Sequence, residues 1–123
     1  MGKKRILVVD DEFELVEMIK LRLEANNYEV ISAFDGQEGY DKACKSKPDL
    51  IILDLMLPKM DGYKVCRMLK FDDKYKNIPI IIFTARAQDS DRKLGLEVGA
   101  DEYMVKPFEP EVLLETIARL IKK

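Results

Sequence analysis

The sequence predicts an α/β fold: a three-layer, doubly wound (βα)5 sandwich in which one five-stranded parallel sheet lies between two layers of helices. Short apolar runs rich in β-branched residues alternate with longer amphipathic stretches along the chain. The first, third and fourth runs are hydrophobic almost without interruption, as strands covered on both faces must be. At 123 residues the chain has the length of one ordinary domain, so we expect a single unit over 1–123.

The expected strands are 6–9, 29–31, 50–53, 80–83 and 103–105, the second and fifth being polar enough for sheet edges. The expected helices are 12–26, 37–46, 63–73, 88–98 and 111–122. Asn26 and Asn27 punctuate the end of the first helix, and Gly99 closes the fourth. Pro110, flanked by Glu109 and Glu111, opens the fifth with a charge that suits a helix N-terminus. Short connections between alternating strands and helices imply right-handed crossovers.

Composition narrows the function. A formal net charge of −2 supplies no basic field for nucleic acid, and Lys3-Lys4-Arg5 reads as a solvated lead into the first strand. No run is long and apolar enough to span a membrane, and the N-terminus has no signal-peptide pattern, so we expect a cytoplasmic location. Cys44 and Cys66 have neither CxxC nor metal-ligand spacing and read as reduced thiols. Histidine is absent, which leaves carboxylates, Thr84 and lysines to carry any chemistry.

In an open parallel sheet, ligands bind beyond the carboxyl ends of the strands, where the winding reverses. The residues at those ends are Asp10 and Asp11 after the first strand, Asp54 after the third, Thr84 after the fourth and Lys106 after the fifth. Each has an ordinary reading: an aspartate before a helix is a preferred N-cap, and Asp54 with Pro58 and Asp61-Gly62 could simply begin a turn. Together they ask for a cation, because two carboxylates about 4 Å apart repel by about 4 kcal/mol at an effective dielectric of 20. An oxygen-only donor set suits Mg²⁺; Ca²⁺ shares that preference, although no EF-hand loop is present. Lysine and threonine nearby would hold a phosphoryl dianion.

Val8-Val9-Asp10-Asp11-Glu12, the segment from Asp54 to Gly62 (D-L-M-L-P-K-M-D-G), Phe83-Thr84-Ala85 and Lys106-Pro107-Phe108 occur in this order along nearly the whole chain. With these motifs the sequence resembles a bacterial response-regulator receiver domain of two-component phosphorelay signalling, chemotaxis receivers included. The resemblance implies a flavodoxin-like sheet of order 2-1-3-4-5. It implies Asp54 as phosphoacceptor, with Mg²⁺ ligated by Asp11, by Asp10 through water, by the Asp54 carboxylate and by the Met56 backbone carbonyl. Lys106 would bridge phosphoryl and carboxylate, and the Lys106–Pro107 bond would be cis. Thr84 and Tyr103 would act as the switch pair that remodels the face of helix 4, strand 5 and helix 5, while Met56 and Arg86 occupy positions that tune the rate of reset.

The implied partners are a sensor histidine kinase or phosphotransfer protein, and a downstream protein target or fused output domain. The implied assembly is a monomer or a phosphorylation-dependent dimer. On the first helix the core stripe runs through Val16, Ile19 and Leu23, which leaves Leu15 and Met18 toward its edge. With Pro107 these two are expected to seat the kinase. The competing reading is a small phosphohydrolase working through an aspartyl phosphate. Met56 opposes it, since the haloacid-dehalogenase type needs a second aspartate at that position. A nucleotide or flavin module is opposed by the acidic loop after the first strand, which lacks a glycine-rich phosphate cradle.

Overall fold

The computed structural model describes residues 2–121. Its elements are β1 (Arg5–Val9), α1 (Phe13–Ala25), β2 (Glu29–Ala33), α2 (Gly36–Ser46), β3 (Leu50–Leu53), α3 (Gly62–Lys70), β4 (Ile80–Thr84), α4 (Asp89–Glu97), β5 (Glu102–Val105) and α5 (Pro110–Ile121). All strand pairings are parallel and the order is β2-β1-β3-β4-β5. The chain therefore forms the (βα)5 sandwich expected from its pattern, with the flavodoxin-like strand order that the resemblance implies.

Successive side chains of a strand face opposite layers, and the two cores follow that alternation. Ile6, Val8, Leu50, Ile52, Ile81 and Phe83 pack against Val16, Ile19 and Leu23 of α1 and Leu113, Ile117 and Leu120 of α5. Their neighbours Leu7, Val9, Ile51, Leu53, Ile80 and Ile82 face the other way, onto Ala43 of α2 and Val65, Cys66 and Leu69 of α3. Both faces of the central strands are sealed, and each fully buried aliphatic side chain contributes roughly 1.5–3 kcal/mol.

Local chemistry sets the helix ends. Asn27 takes a positive φ of 71°, and the N–H groups of Asn27 and Tyr28 close on the carbonyls of Glu24 and Leu23, so asparagine does the work usually given to glycine. Gly99, with φ 101°, closes α4 in the same way. Asp35 and Asp61 cap α2 and α3 by accepting the N–H groups of Glu38 and Lys64. β2 runs two residues further than expected, to Ala33, and Thr84 is the last residue of β4, not the first after it. The largest departure is at α3, which ends at Lys70 and does not reach Asp73. Asp72 accepts the N–H of Lys74 at 2.8 Å and turns the chain away from the helix. The expected end of the last helix at Lys122 lies outside the described residues.

Candidate functional site

Three backbone hydrogen bonds carry the sheet one residue past its strands and thereby fix the rim. Asp10 N–H donates to Ala33 at 3.1 Å, Asp54 N–H to Val9 at 3.0 Å, and Lys106 N–H to Thr84 at 2.8 Å. Asp10, Asp54 and Lys106 thus occupy neighbouring positions on a rigid edge. Asp10 and Asp54 are 2% and 5% exposed, and Thr84 is fully buried.

Lys106 is the hub of the site. Its Nζ lies 2.8 Å from Asp10 Oδ2, 3.1 Å from Asp54 Oδ2 and 2.7 Å from Glu12 Oε1. The ligand atoms of Asp10, Glu12 and Asp54 all fall within 4.8 Å of one another, an oxygen-only acidic cluster of the kind that holds Mg²⁺ in receiver domains. Burial pushes the Asp10 carboxyl up, against the opposing pull of its hydrogen bonds from Lys106 and from Glu12 N–H. For Lys106, burial works against the ammonium, but the hydrogen bonds to Asp10 and Glu12 and the charges of Asp10 and Asp54 prevail and raise its pKa.

Asp11 is exposed and stands outside this cluster, and Glu12 takes the third place. The cause is local: Asp10 Oδ1 accepts the N–H of Glu12 at 2.9 Å, a turn that brings Glu12 back over the rim. Glu12, and neither aspartate, is the N-cap residue of α1, with no side-chain cap bond. The available signal was the third acid of Asp10-Asp11-Glu12, which the sequence reading left without a role.

The Met56 side chain is 55% exposed, and its N–H donates to Asp54 Oδ1 at 3.3 Å. Thr84 Oγ1 lies 3.5 Å from the Arg86 nitrogen. Tyr103 is turned inward, 2% exposed, and its hydroxyl donates to the Arg86 carbonyl at 2.9 Å. The Lys106–Pro107 bond is cis. Leu15, Met18 and Pro107 line one open cleft of about 390 Å³, with Glu12, Lys106, Phe83 and Phe108 as its other walls. A second cleft, of about 400 Å³, lies at the opposite ends of the strands among Lys4, Asp49, Pro79 and Asp101 and shares none of these residues.

Among the described residues no helix is long and apolar enough to cross a membrane. Both cysteines are free thiols.

Residues 6–118 match the response regulator receiver domain family. The chain is 45% identical over 120 residues to the alkaline phosphatase synthesis transcriptional regulatory protein PhoP of Bacillus subtilis (strain 168), covering 98% of this chain and 49% of that protein. It is 44% identical over 119 residues to the response regulator ArlR of Staphylococcus aureus (strain Mu50), covering 97% and 53%. Among solved structures, a putative response regulator from Chloroflexus aurantiacus superposes with a TM-score of 0.94 at 34% identity over 99% of this chain and all of that one. The chemotaxis protein CheY4 of Vibrio cholerae does so with a TM-score of 0.89 at 35% identity, covering 97% and 99%.

The chain belongs to the response regulator receiver domain family. It is a phosphoacceptor domain of two-component signalling, a switch and not a turnover enzyme. Membership implies exchange with a histidine kinase or phosphotransfer partner. The chain spans about half the length of the curated relatives it matches.

Proposed function

We propose that Asp54 is the residue phosphorylated, that Asp10, Asp11, Asp54 and the Met56 carbonyl serve the metal with Glu12 beside them, and that Thr84 and Tyr103 report the modification. The carrying observation is the Lys106 ammonium held between the buried carboxylates of Asp10 and Asp54 at 2.8 and 3.1 Å. It sets a fixed positive charge beside both buried carboxylates at the carboxyl ends of β1 and β3.

In the proposed reaction a carboxylate oxygen of Asp54 attacks the phosphorus of a phosphohistidine on the partner kinase, or of a small acyl phosphate. An O–P bond forms as the bond to the leaving imidazole or carboxylate breaks. Bound Mg²⁺ supplies the positive charge that lets a phosphoryl dianion approach an acidic rim. Lys106 neutralises a phosphoryl oxygen, and the Thr84 hydroxyl donates to another. Attack by water on the phosphorus breaks the new O–P bond, which restores the Asp54 carboxylate and releases inorganic phosphate. Tyr103 and the surface of α4, β5 and α5 then differ between the two states only as far as their contacts do.

Leu15, Met18 and Pro107 are the proposed seat of the kinase, supported by their meeting in one cleft beside Lys106. We read 1–123 as one receiver domain, working through protein contacts or as the receiver part of a longer regulator like the curated relatives. The test is incubation with a small acyl phosphate, with and without Mg²⁺, followed by intact and peptide mass mapping. One phosphoryl group on Asp54, absent in Asp54→Asn and without metal, is expected. Label that persists in Asp54→Asn, or that ignores Mg²⁺, rejects the mechanism.

A further inference from the structure

We propose that Tyr63 is a positioning residue of the switch, tying the first turn of α4 to the phosphoacceptor loop by a hydrogen bond to Asp91 that neither the Thr84 nor the Tyr103 side chain makes. The proposal rests on the receiver reading above and adds to it a second mechanical link.

The link begins at Asp54. Gly62, the first residue of α3, docks on the backbone that follows the phosphoacceptor: its N–H donates to the Leu55 carbonyl at 3.0 Å, and a Cβ on it would overlap the Asp54 carbonyl oxygen. The start of α3 therefore moves with Asp54. The next residue is Tyr63, whose ring packs against the core formed by Val65, Leu69 and Tyr103 among others. Its hydroxyl reaches across to α4, 3.2 Å from the Asp91 carbonyl oxygen and 3.5 Å from Asp91 Oδ1. Its single proton is shared between these two acceptors.

Asp91 is itself held from a second side. Arg86, in the loop between β4 and α4, places its guanidinium 3.4 Å from Asp91 Oδ1. The same Arg86 offers its carbonyl to the Tyr103 hydroxyl at 2.9 Å. One residue of α4 thus gathers α3, the β4–α4 loop and, through that loop, β5. Tyr63 contributes the strand of this ring that runs straight to the Asp54 backbone.

Beyond Asp91, α4 has few anchors, which gives the link its leverage. Arg92 donates to the Tyr103 carbonyl at 3.3 Å and lies over the Tyr103 ring, Gly95 is the one buried residue, and Gln88, the N-cap, makes no side-chain cap bond. The intrahelical bonds from Asp91 and Arg92 to Gln88 are 3.1 and 3.2 Å. A helix with few buried anchors opens locally at low cost, so one hydrogen bond near its start shifts its opening equilibrium measurably.

The test is amide hydrogen exchange of the full chain in wild type, Tyr63→Phe, Tyr63→Leu and Tyr63→Phe/Asp91→Ala, each with and without a small acyl phosphate and Mg²⁺. In Tyr63→Phe the exchange of residues 88–98 should rise about threefold to tenfold, the population change expected for one lost net hydrogen bond. Amides of β1 and β3 should stay as in wild type, and with Asp91→Ala measured as a single variant to close the cycle, Asp91→Ala should change α4 less in the Tyr63→Phe background than in wild type. At equal Asp54 labelling, the difference in α4 between labelled and unlabelled protein should shrink in Tyr63→Phe. Unchanged α4 exchange in Tyr63→Phe, an equal rise at every amide, or an effect seen only in Tyr63→Leu overturns the proposal. A wild type that takes no label defeats the receiver mechanism instead, and the unlabelled comparison still judges the link.

Discussion

Gly62 and Asp54 touch backbone to backbone: a methyl group on Gly62 would overlap the Asp54 carbonyl oxygen and lie 2.7 Å from the Leu55 Cα. Gly36, at the start of α2, meets the same loop from the other side, where a Cβ would overlap the Met60 carbonyl, and its N–H donates to Pro58 at 3.1 Å. Two helix starts therefore clamp the loop that follows Asp54. The obstacle in each case is backbone, which cannot rotate aside.

Gly62→Ala and Gly36→Ala should each destabilise the fold by about 1–3 kcal/mol, the range for overpacking a tight site. Urea unfolding measures this. Gly62→Ala should also slow Asp54 labelling under conditions where the variant is still fully folded, because its overlap falls on the Asp54 backbone itself. Gly36→Ala, which presses on Met60, should affect labelling less.

Lys106 occupies the ground a divalent cation needs. Its charge, shared among Asp10, Glu12 and Asp54, repels a metal approaching the same oxygens. Lys106→Met should therefore bind Mg²⁺ more tightly, by about tenfold, while labelling of Asp54 falls about a hundredfold or more for want of the phosphoryl counter-charge. In metal-free buffer the variant should be less stable, since two buried carboxylates lose their cation, and added Mg²⁺ should raise its melting temperature more than that of wild type. Calorimetric titration and thermal melts read both effects.

The parts of the molecule that were legible beforehand are those governed by burial and chain order. Strands such as 50–53, sealed on both faces, must be apolar throughout, and their regular alternation with helices implied one open parallel sheet whose strand ends bring Asp10, Asp54, Thr84 and Lys106 to a common rim, while the strand order itself came from the resemblance to receiver domains. What was not legible depends on turns and on side chains far apart in sequence. Which acid of Asp10-Asp11-Glu12 joins the cluster is decided by a single hydrogen bond from Glu12 N–H to Asp10. The early end of α3 is set by Asp72 folding onto Lys74, and the Tyr63–Asp91 bond joins residues 28 apart, beyond any local pattern.

Cys66 makes stability depend on alkaline pH. It is fully buried in the core, and burial lifts its thiol from 9.0 to about 12. Below about pH 9 both the folded and unfolded chains keep the proton, so this group adds no slope. Between about 9 and about 12 the unfolded chain releases the proton while the folded one retains it; the unfolded state then binds fewer protons and stability falls as pH rises. Wild type should lose roughly 2–3 kcal/mol more than Cys66→Ala between pH about 9 and about 11, by urea unfolding at each pH. The comparison with Cys66→Ala cancels the tyrosines, of which Tyr103 is also pushed up to about 12 by burial. Cys44, half-buried, should react with a thiol reagent well before Cys66.

If the cleft at Met18 is the seat of the kinase, as proposed above, a change at Met18 should separate recognition from chemistry at Asp54. It is 56% exposed on α1 and lines the cleft beside Lys106 and Pro107, while Val16 and Ile19 on either side of it are buried in the core. A charge at Met18 therefore costs the fold little, surface changes usually staying within about 0.5 kcal/mol. An apolar partner helix seated in the cleft would have to desolvate that charge, at a cost of about 2 kcal/mol or more. Met18→Glu should lower kcat/KM for transfer from a phosphorylated histidine kinase by about tenfold to a hundredfold, while labelling by a small acyl phosphate, which needs no docking surface, proceeds at the wild-type rate. Equal loss with both donors would place the defect at Asp54 and remove Met18 from the docking face, and no loss with either would remove the cleft from recognition altogether.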